Sequence, residues 1–259
     1  MNLLVDLGNT RLKWALHDAQ GLRPGTPVDH SRPLLPELEL AWRDAPAVAR
    51  ALVSSVGRPR LEAELVQAIR ARFGIEPQFV ATQAQACGVR VAYARPEKLG
   101  VDRFVALIAL HALVPGPAVL ASVGTALVLD ALGGDGVHLG GLIAPSPLLM
   151  QQALLGATAR VTAAESARIV ELADDTEDAV RSGCWLAAAA LVERFHLQVS
   201  SRLAAPVALV LAGGAASELA PLLGRPARIE ADLVLRGLAR FADGCIASPS
   251  SESVESGNS

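Results

Sequence analysis

A two-lobed α/β protein with a cleft between its lobes is the fold class this sequence predicts, and three observations predict it. A strand, a turn built on glycine and threonine, and a second strand open the chain, and the same order returns near residue 118. Pro115-Gly116-Pro117 separates the two stretches, because proline ends a preceding helix and fixes a turn. Of the 259 residues 51% are hydrophobic but only 3% aromatic, so the interior must be built from Ala, Leu and Val packed closely between helices and strands. A repeated opening marks an internal duplication, and duplicated lobes imply a cleft.

Residues 2–6 read as a short apolar strand, Gly8, Asn9 and Thr10 supply turn chemistry, and residues 11–16 resume as a second strand, making a hairpin. Residues 21–46 hold many of the prolines and read as meander with one further strand. Residues 51–56 read as a buried strand. After Pro59, Leu61, Leu65, Ile69 and Phe73 recur on one helical face, and a strand with a crossover helix implies a parallel pair. A short strand over 78–81 and a helix over 96–113 complete the first lobe, residues 1–115.

The second lobe, residues 116–247, starts with strands over 118–122 and 126–131 flanking Gly124 and Thr125, a turn over 133–136 and a third strand over 137–143. A helix follows Pro147, and a long Ala-rich helix spans 176–203, in which residues 187–191 read as core or dimer packing. A strand over 207–211, the pair Gly213-Gly214 and two more helices follow. Residues 248–259 are Ser-rich, almost without apolar side chains, and are expected to be disordered.

A net charge of −3 and a sequence pI near 6.0 leave no electrostatic footprint for nucleic acid. Cys87, Cys184 and Cys245 form no C-x-x-C pair, which argues against zinc or a redox couple and for reduced thiols in a cytosol. The N-terminus has no basic n-region, so no signal peptide is expected, and the localisation read is cytoplasmic. The apolar run 104–129 is divided by Pro115-Gly116-Pro117 and reads as helix, turn and strand, not as a membrane span.

Candidate chemistry sits at three breaks in the pattern. Asp6-Leu7-Gly8-Asn9-Thr10 is a tight turn that presents backbone N–H groups and a hydroxyl to an anion, with Asp6 available for a hydrated metal and Lys13 for phosphate oxygens; alone, it is also an ordinary hairpin turn. Ser122-Val123-Gly124-Thr125-Ala126 repeats that arrangement, and Gly213-Gly214 offers a third close approach. Neither G-x-x-x-x-G-K-[ST] nor G-x-G-x-x-G occurs, so the phosphate grip is of another kind. In Gly100-Val101-Asp102-Arg103, Asp102 is placed to accept a hydroxyl proton, Arg103 to neutralise a transferring phosphoryl group, and Gly100 to leave room for substrate. The plain alternative is a helix-surface ion pair. His138, without ligand partners at metal spacing, reads as structural.

The turn from Asp6 to Thr10 with Lys13, the strand end Ser54-Ser55-Val56, Pro96-Glu97-Lys98-Leu99-Gly100-Val101-Asp102-Arg103, Gly124-Thr125-Ala126, the run Gly136-x-His138-x-Gly140-Gly141 and Leu233-Val234-Leu235-Arg236-Gly237-Leu238 together resemble the type III pantothenate kinases. These segments run in family order over nearly all the chain except the tail. The resemblance implies two actin-like lobes of the acetate and sugar kinase, Hsp70 and actin type (ribonuclease H-like), and a homodimer. It also implies transfer of the ATP γ-phosphate to the 4′-hydroxyl of pantothenate, the first step of coenzyme A biosynthesis.

By that resemblance Asp6, Leu7, Gly8, Asn9, Thr10, Arg11, Leu12, Lys13 and Thr125 bind ATP. Tyr93, Gly100, Val101, Asp102, Arg103 and Thr176 contact pantothenate, Asp102 is the catalytic base, and Asp6 holds Mg²⁺ through water. Thr176, at a helix start, is also placed to cap that helix. Potassium or ammonium is implied as a further cofactor, yet Ser122 stands where many family members place the cation-binding Asp, and a hydroxyl is a poorer cation ligand. Asp130, further along the strand, is the residue that would compensate. Two rivals remain: a non-catalytic regulator on the same scaffold, and an actin-like phosphotransferase with another acceptor.

Overall fold

Two sheets of matching strand order carry the fold in the computed structural model, which describes residues 1–157 and 167–244. The expected disordered stretch 248–259 and Cys245 lie outside the described residues. The first half of the chain runs β1 (Asn2–Leu7), β2 (Arg11–Asp18), β3 (Gly21–Pro24), β4 (Val28–Asp29), α1 (Leu34–Ala41), β5 (Arg50–Ser55), α2 (Pro59–Phe73), β6 (Pro77–Phe79), β7 (Gln85–Ala86), β8 (Val89–Arg90), a 3₁₀ turn (Pro96–Lys98) and α3 (Val101–Leu113). The second runs β9 (Ala118–Val123), β10 (Ala126–Leu132), β11 (His138–Pro145), α4 (Pro147–Ala157), α5 (Thr176–Leu203), β12 (Ala208–Ala212), α6 (Ala216–Leu219), a 3₁₀ turn (Ala220–Leu222), β13 (Arg228–Ile229) and α7 (Leu233–Ala242).

The first sheet has the order β3-β2-β1-β5-β6, with β4 paired to β2, and the second β11-β10-β9-β12-β13. Each is an antiparallel three-strand meander extended by two parallel strands, β5 and β6 on one side and β12 and β13 on the other. The duplication weakly visible in the Gly-Thr turns is therefore complete at the level of strand order.

Two expectations need correction. Residues 21–46 hold two short strands and the helix α1, not a meander with one strand. Pro33 precedes that helix and Pro36 lies in its first turn, where a missing N–H costs nothing, while Leu34 and Leu38 bury one face. The helix expected over 96–113 is broken. Gly100 is the N-cap of α3, so Asp102 falls in the first turn, where the helix dipole favours a carboxylate.

Helices α3 and α7 pack on each other between the sheets, α7 on β1, β2 and β5, and α3 on β5, β8, β9 and β10. One apolar cluster joins Leu4 and Leu52 of the first sheet, Phe104 and Leu107 of α3, Leu235 and Leu238 of α7, and Leu120 and Val210 of the second sheet. The two helices approach closely at Gly237, where a Cβ would strike the Val105 carbonyl and come within 2.7 Å of Val105 Cγ1. Gly237→Ala is expected to destabilise the protein by about 1–3 kcal/mol through overpacking, read as a lower Tm in thermal melts at unchanged far-UV circular dichroism.

Candidate active site

Strand alternation decides what faces the cleft. On β1, Leu3, Val5 and Leu7 enter the first-lobe core with Leu12, Trp14 and Val53, whereas Leu4 joins the interlobe cluster. Asp6 therefore lies on the Leu4 side, and register sets Lys13 of β2 and Ser54 of β5 directly beside it. Asp102 arrives from the start of α3 and Asp232 from the start of α7. The Lys13 ammonium meets Asp232 Oδ1 at 3.2 Å.

This gathering of carboxylates is legible in its electrostatics. Burial, then the charge of Asp102, push the Asp6 carboxyl up to about 7 against the opposing pull of Lys13, with Asp232 adding to the rise. Burial also raises Asp102, although the Arg103 backbone N–H, 2.8 Å from Asp102 Oδ1, favours its ionised form. Asp102 is thus a part-buried carboxylate with raised proton affinity, the property a general base needs.

The turns of the two lobes meet. Thr10 Oγ1 and Thr125 Oγ1 lie 2.7 Å apart across 115 residues of sequence. Each turn is closed by a glycine N–H, Gly8 to the Arg11 carbonyl at 3.1 Å and Gly124 to the Ala126 carbonyl at 3.0 Å. The third glycine turn joins them: Gly213, at φ +91, lies so close to Val123 that a Cβ would strike the Val123 backbone. Side chains of the first turn divide, with Leu7 and Leu12 buried in the first-lobe core and Arg11 exposed beside Asp29 at 3.6 Å. Leu7 and Leu12 thus offer only backbone to a nucleotide.

A second cluster lies on the other sheet. Arg103 makes a two-pronged pair with Asp130, Nε to Oδ2 at 3.0 Å and Nη2 to Oδ1 at 2.7 Å, and its Nη1 donates to Tyr93 Oη at 3.3 Å. His138, fully buried, bonds Asp130 Oδ1 through Nε2 at 2.9 Å. A Cβ on Gly141 would come within 2.5 Å of Asp130 Oδ1 and 2.7 Å of Arg103 Nη2, so only glycine leaves this pair its space.

The expected compensation at the cation position does not occur. Ser122 has Val128 and Ala212 as its strand neighbours, and both Asp130 oxygens are bound by Arg103 and His138. At Ser122 a monovalent cation would find a hydroxyl in place of a carboxylate, and Asp130 is already engaged by Arg103 and His138, so these residues do not fit it. Asp6, beside the first turn and across from Lys13, supplies a carboxylate that does suit a hydrated divalent ion.

Thr176 stands apart from these clusters. Asp175, not Thr176, caps α5, accepting the Asp178 N–H at 2.9 Å. Thr176 lines an apolar cavity of about 950 Å³ walled by Pro145, Leu149, Met150, Val180 and Cys184, and none of Tyr93, Asp102 and Arg103 lines it. Sequence reasoning missed Asp232, which looks like a cap before an apolar helix. Its backbone is left-handed at φ 55 and its side chain caps nothing, binding Lys13 instead. It also missed the Asp130–Arg103 pair, whose members are 27 residues apart with no local signal.

Matched lobes whose hairpin turns meet beside Asp6 and Lys13 define an actin-like fold of two duplicated halves. In fold the chain is similar to a 2-dehydro-3-deoxygalactonokinase protein from Sinorhizobium meliloti (TM-score 0.51, 17% identity, 96% of this chain and 98% of that one). It is also similar in fold to a Baf family transcriptional activator from Campylobacter jejuni (TM-score 0.57, 17% identity, 93% and 97%). The type III pantothenate kinase family model matches residues 2–198. Type III pantothenate kinases from Xanthomonas oryzae pv. oryzae (43% identical over 242 residues, 92% of this chain and 96% of the relative) and Nitrosococcus oceani (36% over 253 residues, 93% and 94%) align nearly end to end. The chain belongs to the type III pantothenate kinase family.

Proposed function

We propose that this protein phosphorylates the 4′-hydroxyl of pantothenate with ATP, giving 4′-phosphopantothenate and ADP, the first step of coenzyme A biosynthesis. The observation that carries the reading is the meeting of Thr10 and Thr125 at 2.7 Å beside the row of Asp6 and Lys13, which joins both turns into one phosphate grip. ATP phosphates lie along the backbone from Asp6 to Lys13, with Thr125 contributing from the second lobe and Lys13 balancing charge. Asp102 removes the hydroxyl proton as phosphoryl transfer proceeds. Tyr93, Gly100, Val101 and Arg103 hold the acceptor, whereas Thr176, in its separate apolar cavity, is not among these contacts. Asp6 would hold Mg²⁺, which when bound would supply neutralisation of phosphate charge.

Residues 1–115 and 116–247 act as the two lobes, with α7 of the second stretch packed on β1, β2 and β5 of the first. Exposed apolar side chains on the edge strand β11 (Leu142 and Ile143, 43% and 65% exposed) and on α4 (Leu148 and Leu149) support a homodimer. No helix among the described residues is long and apolar enough to cross a membrane.

The test is ADP release by the purified protein with Mg-ATP and pantothenate, in potassium, ammonium or choline salts. Pantothenate-dependent turnover of equal size in all three is expected, because Ser122 and the engaged Asp130 leave no cation cage. Turnover without pantothenate dependence would overturn the acceptor, and activity confined to potassium or ammonium would overturn the cation reading.

A further inference from the structure

The Arg103 guanidinium has five N–H groups, and three are engaged. Nε and Nη2 bind Asp130, and one Nη1 hydrogen binds Tyr93 Oη. The pair is nearly dry, with side-chain exposures of 10% for Arg103 and 3% for Asp130. His138, with no exposed surface, completes the shell of Asp130 Oδ1, and because a carboxylate only accepts, its Nε2 carries the hydrogen. The Tyr93 ring lies between these groups, 5.8 Å from the His138 ring and 5.9 Å from the guanidinium carbon. Gly141 keeps the space open, since any side chain there would collide with both members of the pair.

A buried Arg–Asp pair contributes little net stability compared with apolar side chains of the same size. Its fork geometry, by contrast, fixes the plane of the guanidinium and leaves two N–H groups for a ligand. We infer that Asp130, seated by His138, is a positioning residue that locks Arg103 in one orientation so that its two remaining N–H groups bind oxygens of the acceptor. The inference rests on the reading that Arg103 holds pantothenate. Asp130 touches no substrate; it acts through Arg103.

Steady-state kinetics of the full chain test this with Arg103→Gln, Asp130→Asn and the double variant. Each single variant is expected to raise the KM for pantothenate by on the order of 10- to 100-fold, with the KM for ATP unchanged. The double variant is expected to be no worse than Arg103→Gln alone, because both act on one contact. A normal pantothenate KM in Asp130→Asn, or summed effects in the double variant, would overturn the inference while leaving the role of Arg103 intact. A normal pantothenate KM in Arg103→Gln would instead sink the reading beneath it. Asp130→Asn leaves Arg103 buried without a counter-charge and so risks misfolding, whereas His138→Leu keeps the pair and its charge balance. His138→Leu is expected to raise the pantothenate KM several-fold, with recovery in His138→Gln, which retains an N–H for Oδ1. Equal, unperturbed KM values in both would also overturn the inference.

Discussion

Asp102→Asn should leave the fold intact and lower kcat by on the order of 10²- to 10⁴-fold, the usual cost of removing a general base. Asn keeps the shape of the side chain and still accepts the Arg103 N–H now made to Oδ1 at 2.8 Å, so the first turn of α3 has no reason to unwind. What disappears is the proton acceptor. Stability should not fall at neutral pH. Burial raises the Asp102 carboxyl above its ordinary value, so its ionised form costs the folded state stability as pH rises past the usual carboxylate range, and an amide removes that cost. ADP release and a thermal melt on the same preparation separate the outcomes: near-normal kcat would remove Asp102 from the role of base, and a melted protein would reassign it to the fold.

The second large effect is at Asp6. Burial first and then Asp102 push its carboxyl up to about 7, and the charged form is the one that serves a hydrated cation. In the wild type, kcat/KM for Mg-ATP should therefore climb about tenfold per pH unit below 7 and level off above it. Asp6→Asn should lose that limb and on the order of 10²-fold in kcat/KM. Stability moves the other way. With a folded value of about 7 against an ordinary 3.8, the folded state binds the extra proton between those limits, so stability falls as pH rises through that window and stays low above it. Asp6→Asn should then melt higher than the wild type at pH 8, by an advantage that shrinks as pH drops from 7 towards 4. A variant less stable at pH 8 would mean that the ion balance with Lys13 outweighs burial. A flat wild-type pH profile would remove Asp6 ionisation from nucleotide binding.

Much of this architecture is legible along the chain because it rests on local rules. Alternating apolar residues and glycine turns mark both hairpins, and the helical spacing of Leu61, Leu65, Ile69 and Phe73 marks α2. The long helix begins and ends at Thr176 and Leu203 as its pattern predicts. Helix α1 was hidden because Pro33 and Pro36 weigh against a helix in any local reading, although at a helix start they cost nothing. The break before α3 was hidden for the opposite reason, since Pro96, Glu97 and Lys98 are all compatible with a first helical turn that the structure ends as a separate 3₁₀ turn.

The site divides the same way. Gly8, Thr10, Gly124, Thr125 and Asp102 are visible because turns and breaks announce themselves in a few adjacent residues. The partners that tune them are not: Asp232 on Lys13 is 219 residues away, Thr125 on Thr10 is 115, and Asp130 on Arg103 is 27. By itself, the sequence determined two duplicated lobes, their Gly-Thr turns and the acid proposed as base, because backbone conformation and hydrophobic period are local. Only the tertiary structure decided that Asp130 belongs to Arg103 instead of a cation, that Asp232 serves Lys13 instead of capping α7, and that burial pushes the Asp6 carboxyl up. Charge pairing and desolvation depend on distance through folded space, and no spacing along the chain encodes that distance.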